Sequence, residues 1–306
     1  MIQVSVCIPV YNMRQYLMNC INSVIAAAQG AGDTYEVIVV DDGSDISCDD
    51  IIKLYKHVIP ITYIKHQSNK GLLEARRTAV TVARGLYVLM LDCDDLLLPG
   101  ALGRLFYTAV VNHSDVVQGA GALRTQDTTV DSMRRLANTR FVASKPEYTV
   151  YTDDVILQNF LTKKFPTTYM CNKIIKRSLY LKALNDIPEA YIVLNEDLLQ
   201  FFYIYTYCHK FSALPNLVVL RTLDTGLTNL TSKISLDRFK QLCSTGKVYE
   251  LMEPHIGKYD KWLQHKRNSS FKNLQMICDK KLQDKDKAEG KKILLESFGK
   301  IKTDSE

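Results

Sequence analysis

The chain has 306 residues, 46% of them hydrophobic and 24% charged, with a formal net charge of +6. That balance excludes an intrinsically disordered chain, and the length suffices for one large domain or two modest ones, each with a real core. No stretch approaches the roughly 20 uncharged apolar residues of a membrane span, which removes helical transporters and channels from consideration.

In chain order, VSVCIPV (4–10) predicts a strand. Residues 13–29 predict a helix, with Leu17, Ile21, Val24 and Ala28 at three-to-four spacing. An almost wholly apolar strand over 35–44 ends in a turn, followed by a helix over 49–58, a strand over 61–66 and a helix over 71–84. A fourth strand is expected over 85–95, a fourth helix over 100–112 and a fifth strand over 114–123. Continuous apolar strands alternating with amphipathic helices imply a mostly parallel sheet covered on both faces. Residues 124–150 are polar and weakly patterned, as in a loop or short hairpins. Helices resume over 153–164 and 194–208, a strand is expected over 211–223, and from Ser235 onward the pattern is helical and lysine-rich.

Eight cysteines are scattered without a C-x-x-C spacing, as expected of free buried thiols in a reducing compartment. The N-terminus opens directly into a strand pattern without the basic and apolar regions of a signal peptide, so a cytoplasmic location is expected. Between Lys258 and Lys302 there are 13 Lys or Arg against six Asp or Glu. Such a basic helical tail suits either a solvated face or an anionic partner, such as the inner face of a membrane.

Ligands of parallel α/β sheets bind at the carboxyl ends of the strands. The first strand ends in Pro9, Tyr11 and Asn12, the second in Asp41, Asp42, Gly43 and Ser44, and the fourth in Asp92, Asp94 and Asp95. Alone, D-x-D or DDGS is an ordinary cap or turn; together the acids converge on one sheet edge. Crowded carboxylates repel unless a cation neutralises them, and hard oxygen ligands suit Mg²⁺ or Mn²⁺ completed by substrate phosphates. Tyr11 offers a flat face for a base, and Lys70, Arg76 and Arg77 offer positive charge for phosphates. The assembled expectation is a nucleoside diphosphate on a divalent metal.

The stretches VSVCIPVYN, YEVIVVDDGS, NKGLLEARRTAV and GLYVLMLDCDDLLLPGAL, in this order and spacing, resemble the nucleotide-binding half of family 2 glycosyltransferases, which have the GT-A fold. CNKIIKRSLY (171–180) and NEDLLQFFYIY (195–205) resemble the acceptor half more loosely. The resemblance implies an α/β GT-A fold with three parts. A nucleotide-sugar half spans 1–125, an acceptor half of the same domain 126–230, and a helical basic extension 231–306. It further implies that Tyr11 and Asp41 hold a uracil, that the backbone at Pro9 and Val10 lines it, and that Asn12, Asp42, Lys70, Arg76, Asp92 and Cys93 surround the nucleotide. Asp94, with Asp92, would bind the metal. The family's helix reads A-R-N where this chain has Ala75-Arg76-Arg77.

Glu196-Asp197 opens an apolar helix after Asn195; by residue type alone the acids suit the helix dipole and Asn195 suits an N-cap. The resemblance makes Asp197 the general base, with Glu196 and Lys173 near acceptor or donor sugar. His66 and His209 read as ordinary strand or surface histidines, and Trp262 as a packing residue. Q-x-x-R-W is absent, so one sugar rather than a polymer is expected to be added to a glycan or lipid-linked acceptor from a UDP-sugar, with inversion. A hexosyl or N-acetylhexosaminyl transferase of bacterial surface-glycan synthesis is the expectation. A sugar nucleotidyltransferase or a non-catalytic nucleotide-binding module is the alternative, while nucleic acid is not expected as a partner and oligomerisation stays open.

Overall fold

A computed structural model describes residues 1–29, 34–125, 148–223 and 233–299. Nine strands form one sheet: β1 (Val4–Val10), β2 (Tyr35–Asp41), β3 (Ile61–Lys65), β4 (Tyr87–Met90), β5 (Leu96–Leu97), β6 (Val116–Arg124), β7 (Thr149–Thr152), β8 (Lys173–Lys176) and β9 (Lys210–Thr222). Their spatial order is β3-β2-β1-β4-β8-β6-β9-β5, with β7 paired to β9. β3, β2, β1 and β4 run parallel, so the exits of β1, β2 and β4 share one edge as the sequence implies. β8 runs antiparallel between β4 and β6 and joins the N-terminal strands to the rest.

Period-two alternation sorts the strand side chains onto two cores. Val4, Val6, Ile8 and Val10 of β1, with Val37 and Val39 of β2, face one core. That core is closed by α1 (Arg14–Ala27), α2 (Asp49–Tyr55) and α4 (Ala101–Asn112). Cys7, Ile38, Val40, Val88 and Met90 face the other, which contains α3 (Leu72–Val82), α5 (Asp154–Lys163), α6 (Arg177–Asn185) and α7 (Glu196–Tyr207). The C-terminal helices α8 (Leu236–Cys243), α9 (Thr245–Met252), α10 (Asp260–Lys281) and α11 (Lys287–Phe298) pack into this second core through Phe239, Tyr249, Leu274 and Phe298. The basic extension is therefore an integral wall rather than an appended tail. No described helix is long and apolar enough to cross a membrane.

Three expectations change. The strand expected over 85–95 stops at Met90, because Asp92–Asp95 close a turn in which the Asp95 amide donates to the Asp92 carbonyl at 2.9 Å. The chain re-enters the sheet as β5. Residues 171–185, unassigned from periodicity, form β8 and α6: four sheet residues are too few to show alternation. Asn195 does not cap α7, since it sits in the left-handed region (φ 64°) and its amide donates to Thr245 Oγ1 instead, at 2.7 Å. Of the loop expected over 124–150, residues 126–147 lie outside the described residues. All eight cysteines are free and buried.

Arg77, at the departure from A-R-N, faces away from the strand ends. Its Nη1 and Nη2 donate to the carbonyls of Leu184 (2.6 Å) and Ile187 (2.7 Å), and its Nε to Glu74 (3.0 Å). The guanidinium thus satisfies carbonyls at and beyond the C-terminal end of α6, where a cation is favoured. Arg77→Ala should lower stability by about 2–4 kcal/mol, from the loss of charge-assisted bonds to partly buried carbonyls. Thermal or urea unfolding measures this, and nucleotide affinity should stay unchanged.

Candidate active site

The exits of β1, β2 and β4 and the start of α7 surround a cavity of about 920 Å³, within the usual size range of small-molecule sites. Val10, Tyr11 and Asn12 form one wall, and Tyr11 is 41% exposed, leaving its ring accessible to a ligand. Asn12, at φ 53°, is locked by its backbone amide, which donates to Ser44 Oγ (3.0 Å), and by side-chain bonds with Asp45. The β1 and β2 exits therefore form one rigid rim.

The two adjacent acids after β2 have different roles. Asp41 is fully buried; its carboxylate accepts from the Ser44 amide (2.8 Å) and Tyr63 Oη (2.7 Å) and does not line the cavity. The base-contact expectation for Asp41 is thereby corrected, because both its oxygens are engaged in holding the turn. Asp42 lines the cavity instead, and accepts from the amides of Lys70 (2.9 Å) and Gly71 (2.8 Å). His66 Nδ1 lies 2.6 Å from Asp42 and its Nε2 lies 2.9 Å from Thr78 Oγ1. His66, read as an ordinary histidine, is thus buried and orients a cavity acid. Gly43, at φ 75°, is needed here: a Cβ would meet the Ser68 carbonyl carbon at 2.5 Å. Lys70 takes part only through its amide; its side chain is exposed and outside the cavity, so it is withdrawn as a phosphate contact.

Asp92, Cys93, Asp94 and Asp95 line the opposite wall. The Cys93 thiol points to the Met13 carbonyl, at 3.5 Å. Asp95 accepts from the Thr222 amide (2.8 Å) and faces Arg221 Nε at 3.8 Å. Burial, then Asp92 and Asp94, push its carboxyl up to about 8. This wall carries an excess of negative charge. No group of three or more metal-ligating side chains occurs among the described residues. The donor set fits a hard divalent cation that draws one or two carboxylates from the protein and its remaining oxygens from a ligand, with Asp94 and Asp92 as the candidates.

Arg76 is 2% exposed and bridges the two sides of the site. Its Nη2 donates to Asp92 (3.1 Å) and its Nη1 to Glu196 (3.0 Å). Arg76 also lines the cavity, so two of its nitrogens are held by carboxylates beside the space expected to hold a phosphate. Burial pushes the Glu196 carboxyl up to about 7 against the pull of Arg76. Burial also raises Asp197, against Arg76 and hydrogen bonds from the Leu198 amide and Thr168. Asp197 lines the cavity and faces the strand-end acids across it.

Lys173 does not reach the cavity. Its ammonium is fully buried against Thr167 Oγ1 (2.9 Å), the Tyr169 carbonyl (2.5 Å) and Asn172 Oδ1 (3.0 Å), over the Phe201 ring at 4.7 Å. It is a strut behind the site, corrected from a sugar contact. Sequence reasoning missed Arg221, which lies over Tyr169 at 4.4 Å, and Tyr191, Arg238 and Gln241, which line the cavity from the loop before α7 and from α8. Arg221 sits at the end of β9, and Tyr191, Arg238 and Gln241 lie outside the strand ends, where no sequence signal marks them.

The sequence profile described as Glycosyl transferase family 2 matches residues 5–183. Poly(ribitol-phosphate) beta-glucosyltransferase of Bacillus spizizenii is 28% identical over 192 residues, 59% of this chain and 30% of that protein. The uncharacterised glycosyltransferase YibD of Escherichia coli K12 is 34% identical over 116 residues, 38% of this chain and 33% of that protein. The matched part thus spans about a third of each relative. The crystal structure of S. aureus TarS 1-349 in complex with UDP-GlcNAc superposes with a TM-score of 0.62 at 19% identity, covering 97% of this chain and 89% of that one, a likeness of fold. With the profile matched over more than half its length, the GT-A-like sheet in place and the acids gathered at its strand exits, this chain belongs to glycosyl transferase family 2.

Proposed function

We propose that the 920 Å³ cavity binds a UDP-sugar and that the protein transfers its glycosyl group, with inversion, to a hydroxyl of a glycan or lipid-linked acceptor in surface-glycan synthesis. One observation carries this reading: Asp42 after β2, Asp92 and Asp94 in the turn after β4, and Asp197 at the start of α7 all line one cavity. The UDP-GlcNAc held by the TarS neighbour and the polymer named for the Bacillus relative support the donor and acceptor classes.

In this reading Tyr11 covers the base and Asp42, fixed by His66 and two amides, accepts from the uracil imide. Asp94 and Asp92 would hold Mn²⁺ or Mg²⁺, which supplies neutralisation of negative charge at a diphosphate. Arg76 keeps Asp92 and Glu196 in place. Asp197 takes the proton of the acceptor hydroxyl as its oxygen bonds to the anomeric carbon and the bond to the diphosphate breaks. Attack from the side of Asp197, opposite the leaving group, inverts that carbon. The acceptor half over 126–230 and the extension over 231–306 then enclose the acceptor, beside a nucleotide half over 1–125.

Calorimetric titration of UDP with Mn²⁺ and then with EDTA tests the donor assignment: binding should require the metal and vanish in Asp94→Asn. The two acids after β2 provide a sharper contrast. Asp42→Ala should weaken UDP by about tenfold or more, the worth of a charge-assisted bond. Asp41→Ala should lower the melting temperature and spare UDP affinity. The reverse pattern would return the base contact to Asp41.

Asp197→Asn should retain UDP binding and lower transfer by about 10²–10⁴-fold, the usual contribution of a general base. Since burial raises the Asp197 pKa and only the ionised form accepts a proton, kcat/KM should fall as pH drops through that raised value. The acidic limb should therefore lie above the ordinary aspartate range and disappear in the residual activity of Asp197→Asn. Release of UDP rather than pyrophosphate, measured in the same assay, checks the reaction class.

A further inference from the structure

Asp197 belongs to two cavities. Besides the 920 Å³ site, a second cavity of about 470 Å³ opens on its other side, and Tyr169, Asn195 and Asp197 line both. α10 supplies a continuous face of the second cavity: Trp262, Lys266, Ser269 and Ser270 recur at i, i+4, i+7 and i+8, one stripe of a helix. Lys164, just past the end of α5 in a left-handed conformation (φ 57°), Thr167 and Thr168 add polar groups, and Phe160, Leu161, Pro166, Leu198 and Tyr249 an apolar part.

The chemistry of this lining is specific. Two lysines face a small space, and among the described residues neither is within ion-pair distance of a carboxylate. Burial, and then the proximity of Lys164, lower the pKa of Lys266, as expected for like charges sharing a site. The Lys266 ammonium lies 5.9 Å from the Trp262 ring centroid. Hydroxyls of Thr167, Thr168, Tyr169, Tyr249, Ser269 and Ser270 also line it, those of Thr167 and Ser270 bonded to Lys173 and Tyr249. Two cationic point charges suit a phosphate, for which lysine is a common partner.

We propose that the second cavity is the acceptor site and that the acceptor carries a phosphate group, bound between Lys164 and Lys266 with Trp262 alongside, which sets its hydroxyl against Asp197. This rests on the donor assignment for the larger cavity and deepens it by naming the acceptor class. A phosphodiester-linked polyol and a lipid-linked diphosphate share this chemistry.

Trp262 is the sole tryptophan of the chain, so intrinsic fluorescence reports directly on this cavity. The full-length protein would be titrated with tri(glycerol phosphate), farnesyl diphosphate, maltotriose and trigalacturonic acid, and UDP binding with Mn²⁺ followed separately by calorimetry. Tri(glycerol phosphate) or farnesyl diphosphate should change Trp262 emission saturably, and more weakly at high salt. Lys164→Gln and Lys266→Gln should each weaken that response by about tenfold or more while leaving UDP affinity unchanged. A response to the phosphodiester alone identifies a polymer source, and one to the diphosphate alone a lipid-linked source. The proposal is overturned if maltotriose or trigalacturonic acid binds as tightly, if neither phosphate compound changes the emission, or if both lysine variants bind like the wild type. Loss of UDP binding with an intact Trp262 response would instead overturn the donor assignment alone.

Discussion

The buried guanidinium of Arg76 is the constraint on which the active-site geometry depends. It ties Asp92, at the exit of β4, to Glu196, at the start of α7 and 120 residues from Arg76 itself. Such a buried pair adds little net stability, because desolvating the charges offsets most of their attraction. Its effect is positional. With Glu196 anchored, the first turn of α7 cannot rotate without leaving a buried charge unpaired, and Asp197 is held at the wall between two cavities. Arg76 is thus the joint between two cavity-lining carboxylates distant in sequence, Asp92 and Glu196.

A second layer supports the nucleotide side. Asp41 closes the turn after β2, which lets Asp42 point outward, and His66, Lys70 and Gly71 hold it there through one side chain and two amides. Two adjacent aspartates therefore divide the work: one builds the loop and the other faces the cavity. The C-terminal helices have an equally direct role. α8 brings Arg238 and Gln241 to the larger cavity and α10 brings Trp262 and Lys266 to the smaller one. Lysine enrichment in this region is only partly a solvated surface.

Much of the frame was legible along the chain. The apolar runs of β1, β2 and β3 and the three-to-four spacing of α1 and α3 are local properties, set by which faces must be buried, and the elements lie close to where periodicity puts them. β8 and α6 were not legible. A four-residue strand shows no period, and its place between β4 and β6 comes from pairing with partners more than 50 residues away. The end of β4 was overextended because the leucines on both sides of Asp92–Asp95 hide a turn made by acids.

By itself, the sequence determined the family, the parallel strand order that brings three polar exits to one edge, and the small set of acids from which the site is drawn. Those are consequences of residue type and short-range spacing. Only the tertiary structure decided where each group sits: that Asp42 and not Asp41 faces the cavity, that Arg76 bridges two carboxylates, that Lys173 is a strut, and that Trp262 and Lys266 line a second cavity beside Asp197. Each depends on what a side chain meets across the fold, on burial and hydrogen-bond partners supplied by distant segments, which no local pattern encodes.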